Sequence, residues 1–163
     1  MVLAAAAATD LPVEVQQHLA ALDAECRSFG GVPGNAPELV RSADLTGDGV
    51  PDYLIDVNFY ECEGAISAMS AGLNGSAFFV YMGLPGHAAR QVYQGVAYGT
   101  HVESGWFSRR LYVDTAGKYC GQTNAADLPT AELRGCSRPL LWKRRQQIFV
   151  FAPLHQAHMN PAP

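Results

Sequence analysis

The chain has 163 residues, of which 48% are apolar and 16% charged, with a formal net charge of −4. That is enough apolar material for one domain with a real core. The mild acidity argues against nucleic acid, which needs a broad basic face, and no apolar run approaches the roughly 20 residues that cross a bilayer.

The N-terminus reads Met1, Val2, Leu3 and then alanines through Ala8. Ala6-Ala7-Ala8 fits the small-residue end of an export signal. Residues 1–9 are therefore expected to be a signal remnant or disordered, 10–152 a single α+β domain, and 153–163 a poorly ordered C-terminal tail. Export places the domain in the periplasm.

The first element is a helix. Asp10 is expected to cap it, Pro12 to sit in its first turn and Glu14 to complement its dipole. Val15, Leu19, Leu22 and Cys26 recur at helical spacing and form one apolar stripe, Gly30-Gly31 ends the helix, and His18 is expected on its surface. Leu39 to Leu45 then reads as a strand leading into an acidic loop.

That loop carries Asp44, Thr46, Asp48 and Asp52 at alternate positions around Gly49. Crowded oxygen donors at this spacing suit a hard cation such as Ca2+, with the Val50 carbonyl completing the set. The segment resembles the calcium loops of integrin-type repeats, dockerins and EF-hands. It departs from them at Thr46, and at Ile55, where an EF-hand carries a bidentate glutamate. The other reading is a turn whose aspartates hydrogen-bond their own backbone.

After the loop, Tyr53, Ile55, Val57 and Phe59 alternate with Leu54, Asp56, Asn58 and Tyr60, which predicts a half-buried strand. Ala77 to Met82 reads as a central strand, followed by strands at Val92 to Tyr98 and Arg110 to Asp114. Leu140 to Trp142 and Ile148 to Phe151 form a hairpin around Lys143-Arg144-Arg145, a solvated basic turn. One helix followed by strands predicts an α+β fold, the N-terminal helix packed on a mainly antiparallel sheet. Three loops rich in small or exposed apolar residues stand out: 61–76, 83–87 and 99–107. Function tends to sit on such loops when a rigid sheet positions them.

The four cysteines are Cys26, Cys62, Cys120 and Cys136. None forms a Cys-x-x-Cys pair or has zinc-like spacing to a histidine. Two disulfides are expected in an oxidising compartment. Of the three connectivities, sequence order favours Cys26–Cys62 with Cys120–Cys136, because each closes a local loop. The histidines show no His-Glu-x-x-His spacing, and neither a nucleophile elbow nor a phosphate loop occurs. The one enzyme-like option pairs Cys120 as a thiol nucleophile with His87 or His101 as base, and it requires Cys120 to escape oxidation. A binding protein, not an enzyme, is the expectation.

Taken together, the export remnant, the cysteines, the single α+β domain and the Asp-rich strand running into Glu61-Cys62-Glu63-Gly64 resemble a family. They are similar to periplasmic immunity proteins that protect bacteria against type VI secretion amidase effectors. The resemblance implies an inhibitor that pushes a loop into the catalytic cleft of a peptidoglycan amidase. The contacts expected for a protein partner are Ser67, Met69, Ser70, His87, Trp106 and Phe107. An exposed strand or apolar loop could equally build a homodimer. The alternative function is a calcium-stabilised accessory or structural domain of the envelope.

Overall fold

A computed structural model describes residues 10–34, 37–65, 75–105 and 109–160. Helix α1 spans Val13–Ser28. Pro12 occupies the N-cap and no side chain caps the helix, so the cap expected of Asp10 is not made. The fixed φ of proline suits this position, and Gln16 Nε2 instead donates to the Leu11 carbonyl at 2.6 Å. The stripe faces inward as expected: Val15, Leu22 and Cys26 are buried, and Leu19 packs against them. The helix closes in a Schellman motif, Gly30 N–H on Arg27 O and Gly31 N–H on Cys26 O, with Gly30 at φ +78°.

The strands form two main antiparallel sheets. The first contains β2 (Val40–Ala43), β3 (Asp52–Asp56), β5 (Ser76–Leu84) and β6 (Ala88–Ala97), in the order β2-β3-β5-β6. The second contains β7 (Gly99–Ser104), β8 (Arg109–Ala116), β9 (Gly135–Lys143) and β10 (Ile148–Phe151), in the order β10-β9-β8-β7. A short ribbon pairs β1 (Val32–Pro33) with β4 (Cys62–Glu63).

The layers run helix, first sheet, second sheet. Tyr53, Ile55 and Tyr81 face α1 with Val15 and Leu22 in one core cluster. Leu54, Phe78 and Val80 face the other way and pack on Leu111, Val113, Leu140 and Phe149 of the second sheet. This corrects the half-buried strand expected from Tyr53 to Tyr60. Every residue of β3 is buried, because both of its faces are covered. The strand also stops early, at a 3-10 turn over Val57–Phe59, where the Asp56 side chain accepts from Asn58 N–H.

Both disulfides follow sequence order. Cys26–Cys62 staples α1 to β4, and Cys120–Cys136 staples the 3-10 turn Gly117–Cys120 to β9, each with Cα atoms 5.8 Å apart. The C-terminal hairpin is present, with β10 pairing β9 from Ile148↔Lys143 to Phe151↔Leu140.

Two other expectations are corrected. Residues 99–104, read as loop, form β7, because the ladder to β8 from Gly99↔Asp114 to Ser104↔Arg109 outweighs weak local propensity. The segment after Pro153, read as a tail, packs on the second sheet: β11 (His158–Met159) pairs with β9, and His158 stacks on Tyr112.

Candidate functional site

The acidic loop closes on itself. Asp44 Oδ1 accepts the N–H groups of Gly47 and Asp48, and its Oδ2 accepts that of Gly49. Asp48 Oδ1 accepts Val50 N–H at 2.8 Å. Asp52 lies wholly inside, its Oδ2 holding Leu45 N–H and Thr46 N–H and its Oδ1 holding Gly83 N–H on β5. Burial pushes the Asp52 carboxyl up, and the N–H groups of Gly83, Thr46 and Leu45 oppose that rise. Of the expected calcium donors, Asp44, Asp48 and Asp52 are thus engaged by backbone amides. Thr46 is buried beside Asp52, close enough to favour the ionised carboxylate, yet its Oγ1 makes no hydrogen bond of acceptable geometry. Among the described residues no group of three acidic, histidine or cysteine side chains converges as metal ligands do.

A second buried polar group joins the sheets. Arg41 of β2 reaches Asp56 at 3.2 Å and the Thr100 carbonyl of β7 at 2.7 Å. Thr100 Oγ1 donates to Asp56 Oδ2, and Asn58 Nδ2 bridges Asp56 Oδ1 to the Ala97 carbonyl. Asp56 is fully buried, and Arg41 is its ion-pair partner. The group resembles a structural clamp: its members bond to one another and to the Thr100 and Ala97 carbonyls, and only Arg41 Nε among them is buried without a partner.

The segment from Glu61 to Ser76, singled out as a partner-binding loop, enters and leaves through fixed points. Cys62 is bonded to the helix and paired to Pro33. At the other end Gly75 has φ +90°, and a Cβ there would stand 2.0 Å from the Ala97 carbonyl oxygen, so only glycine fits. Ser67, Met69 and Ser70 lie outside the described residues, as do Trp106 and Phe107. His87 is exposed, at φ 61° in the turn from Pro85, and lines a cleft of about 400 Å³ with Asp10, Pro51 and Tyr53.

The remaining histidines separate. His18, expected on the surface, is half-buried: its Nδ1 lies 2.8 Å from the Tyr81 hydroxyl and its ring packs edge-on to Phe79. Burial lowers its pKa. His101 stacks on Tyr112 and sits 3.5 Å from Glu103 and 3.8 Å from Asp114. His155 is exposed. Cys120, bonded to Cys136, carries no free thiol for the nucleophile pairing.

The sequence reading missed one concave surface. A cleft of about 370 Å³ lies between Leu45–Gly47 and the adjoining ends of β8 and β9, rimmed by Arg109, Arg110, Lys143 and Arg144. The two basic pairs sit on different strands, and only the register Leu111↔Leu140 brings them together. No protein-family model matches this chain, and no curated protein and no solved structure matches it either.

Proposed function

We propose that this chain is an exported binding protein, and that it acts as an immunity protein, blocking a peptidoglycan amidase with the loop between Cys62 and β5. The observation that carries this is the pair of rigid anchors at the loop's ends. Ordering a floppy segment on binding costs affinity, and each immobilised side chain adds about 0.5–1.5 kcal/mol to that cost. A loop entering from a disulfide and leaving through a sterically locked glycine has its ends fixed before any partner arrives. Two disulfides are compatible with export to an oxidising compartment.

In this proposal Ser67 and Ser70 hydrogen-bond to groups in the amidase cleft, and Met69, Trp106, Phe107 and His87 contribute surrounding contacts. The alternative of a calcium-stabilised accessory domain draws on the acidic loop. Because that loop already gives its carboxylates to backbone amides, we assign it a structural role.

The test is inhibition of a purified cell-wall amidase effector by this protein, with Ser70→Arg and Trp106→Ala alongside. The expected result is stoichiometric inhibition that both variants weaken. Full amidase activity at a large excess of the wild-type protein would overturn the proposal. Sedimentation of the protein alone separates the homodimer, whose association needs no amidase.

A further inference from the structure

The basic cleft has the makings of a second recognition surface, independent of the amidase loop. Arg109, Arg110, Lys143 and Arg144 are exposed, and among the described residues none of them forms an ion pair. Glu103 stands opposite Arg110 in the β7–β8 ladder but pairs with His101 instead. Arg144 is partly committed, donating from Nη2 to the Gly47 carbonyl at 3.0 Å, and so draws the hairpin tip over one side of the cleft. In a chain of net charge −4, this clustering of cations is a local inversion of the overall balance.

The floor differs in character from the rim. Leu45 and Leu140 are buried, Leu141 and Trp142 half-buried, and the Trp142 ring is held against Phe149 with centroids 5.0 Å apart. Thr46 lines the same cleft at 7% exposure, its hydroxyl covered and set beside Asp52.

We propose that this cleft binds an acidic peptide segment of a partner protein. The forked guanidinium groups of Arg109 and Arg110 suit a carboxylate, with paired N–H donors at fixed geometry. Lys143 adds a point charge. An apolar side chain next to the carboxylate lies on Leu141 and Trp142. The dimensions exclude the other large anions. Duplex nucleic acid presents its phosphates along a broad face, whereas these cations enclose a hollow of about 370 Å³. A membrane surface cannot enter a concavity whose apolar groups form its floor.

The test is fluorescence anisotropy of a labelled, end-blocked peptide of alternating Glu and Leu, titrated with the full chain. The control peptide carries Lys for Glu, and parallel arms use inorganic phosphate and vesicles containing anionic phosphatidylglycerol. The expected result is saturable binding of the Glu peptide alone. Affinity should fall about tenfold or more between roughly 50 and 300 mM salt. It should fall about tenfold in Arg109→Gln with Arg110→Gln, variants whose exposed positions leave the fold intact by circular dichroism. Trp142→Ala should weaken binding while preserving the salt dependence. Equal binding of the Lys peptide, indifference to the double arginine variant, or binding to phosphate or vesicles without binding to the Glu peptide would each overturn the proposal. None of these outcomes depends on amidase inhibition.

Discussion

Removing the two disulfides one at a time should destabilise the fold by different, calculable amounts. Cys26–Cys62 closes a sequence separation of 36 and Cys120–Cys136 one of 16. On the loop-entropy relation these are worth about 4 and about 3 kcal/mol, a difference of about 0.7 kcal/mol set by loop length alone. Packing acts in the same direction. Cys26 and Cys62 are buried to 0% and 1% exposure. Gly31 packs so tightly on them that a Cβ there would stand 2.4 Å from the Cys62 sulfur. The double variant Cys26→Ala with Cys62→Ala therefore loses chain constraint and core contacts together. Urea unfolding followed by far-UV circular dichroism measures both pairs. With a slope of about 2 kcal/mol per molar urea, the midpoint should drop by about 2 M for the first pair and about 1.5 M for the second. A loss under about 1 kcal/mol for either pair, or a clearly larger loss for Cys120–Cys136, would refute the reasoning.

Asp56→Ala should cost about 3–5 kcal/mol, because it leaves Arg41 and Thr100 facing a buried void; thermal melting checks it, and a shift within error would deny the clamp its role. His18 gives a pH dependence. Burial lowers its folded-state pKa below the ordinary 6.5. The unfolded chain then takes up the proton first as pH falls, and the stabilisation present above about pH 6.5 is lost through the folded value. The urea midpoint should therefore drop from pH 7.5 to pH 5.5, and His18→Gln should shrink that drop; an unchanged drop would show that other groups set it. For the acidic loop, a chelator should leave the melting temperature unchanged in the wild type and in Asp48→Ala, since backbone N–H groups already hold the carboxylates. A chelator-sensitive melt in the wild type alone would establish a bound ion.

The elements legible in the sequence were those with a local cause. The stripe Val15, Leu22, Cys26 is a helical period, Gly30 and Gly31 are its stop, and the paired cysteines are neighbours in sequence order. What was illegible depended on partners far along the chain. Alternation from Tyr53 to Tyr60 suggested one wet face, yet Leu54 and Ile55 are both buried because a helix covers one side and a second sheet the other. Nothing within 99–104 announces a strand; the β8 ladder makes it one. The basic cleft was hidden for the same reason. Lys143-Arg144 looks like a solvated turn until Arg109 and Arg110 arrive beside it from another strand.

The acidic loop and the basic cleft are two sides of one construction. Asp52 holds the amides of Leu45 and Thr46 with one oxygen and Gly83 of β5 with the other. Those bonds fix Leu45 in the second core and set Thr46 and Gly47 as a wall of the cleft. Burial raises the Asp52 pKa above 3.8, so its contribution to stability is greatest at low pH and fades as pH rises through the folded value. The gain lies in organisation: no apolar residue at position 52 could accept three backbone N–H groups at once. The aspartates first suggest an ion bound by the loop. Their hydrogen bonds to backbone amides also hold in shape the wall against which Arg144 closes.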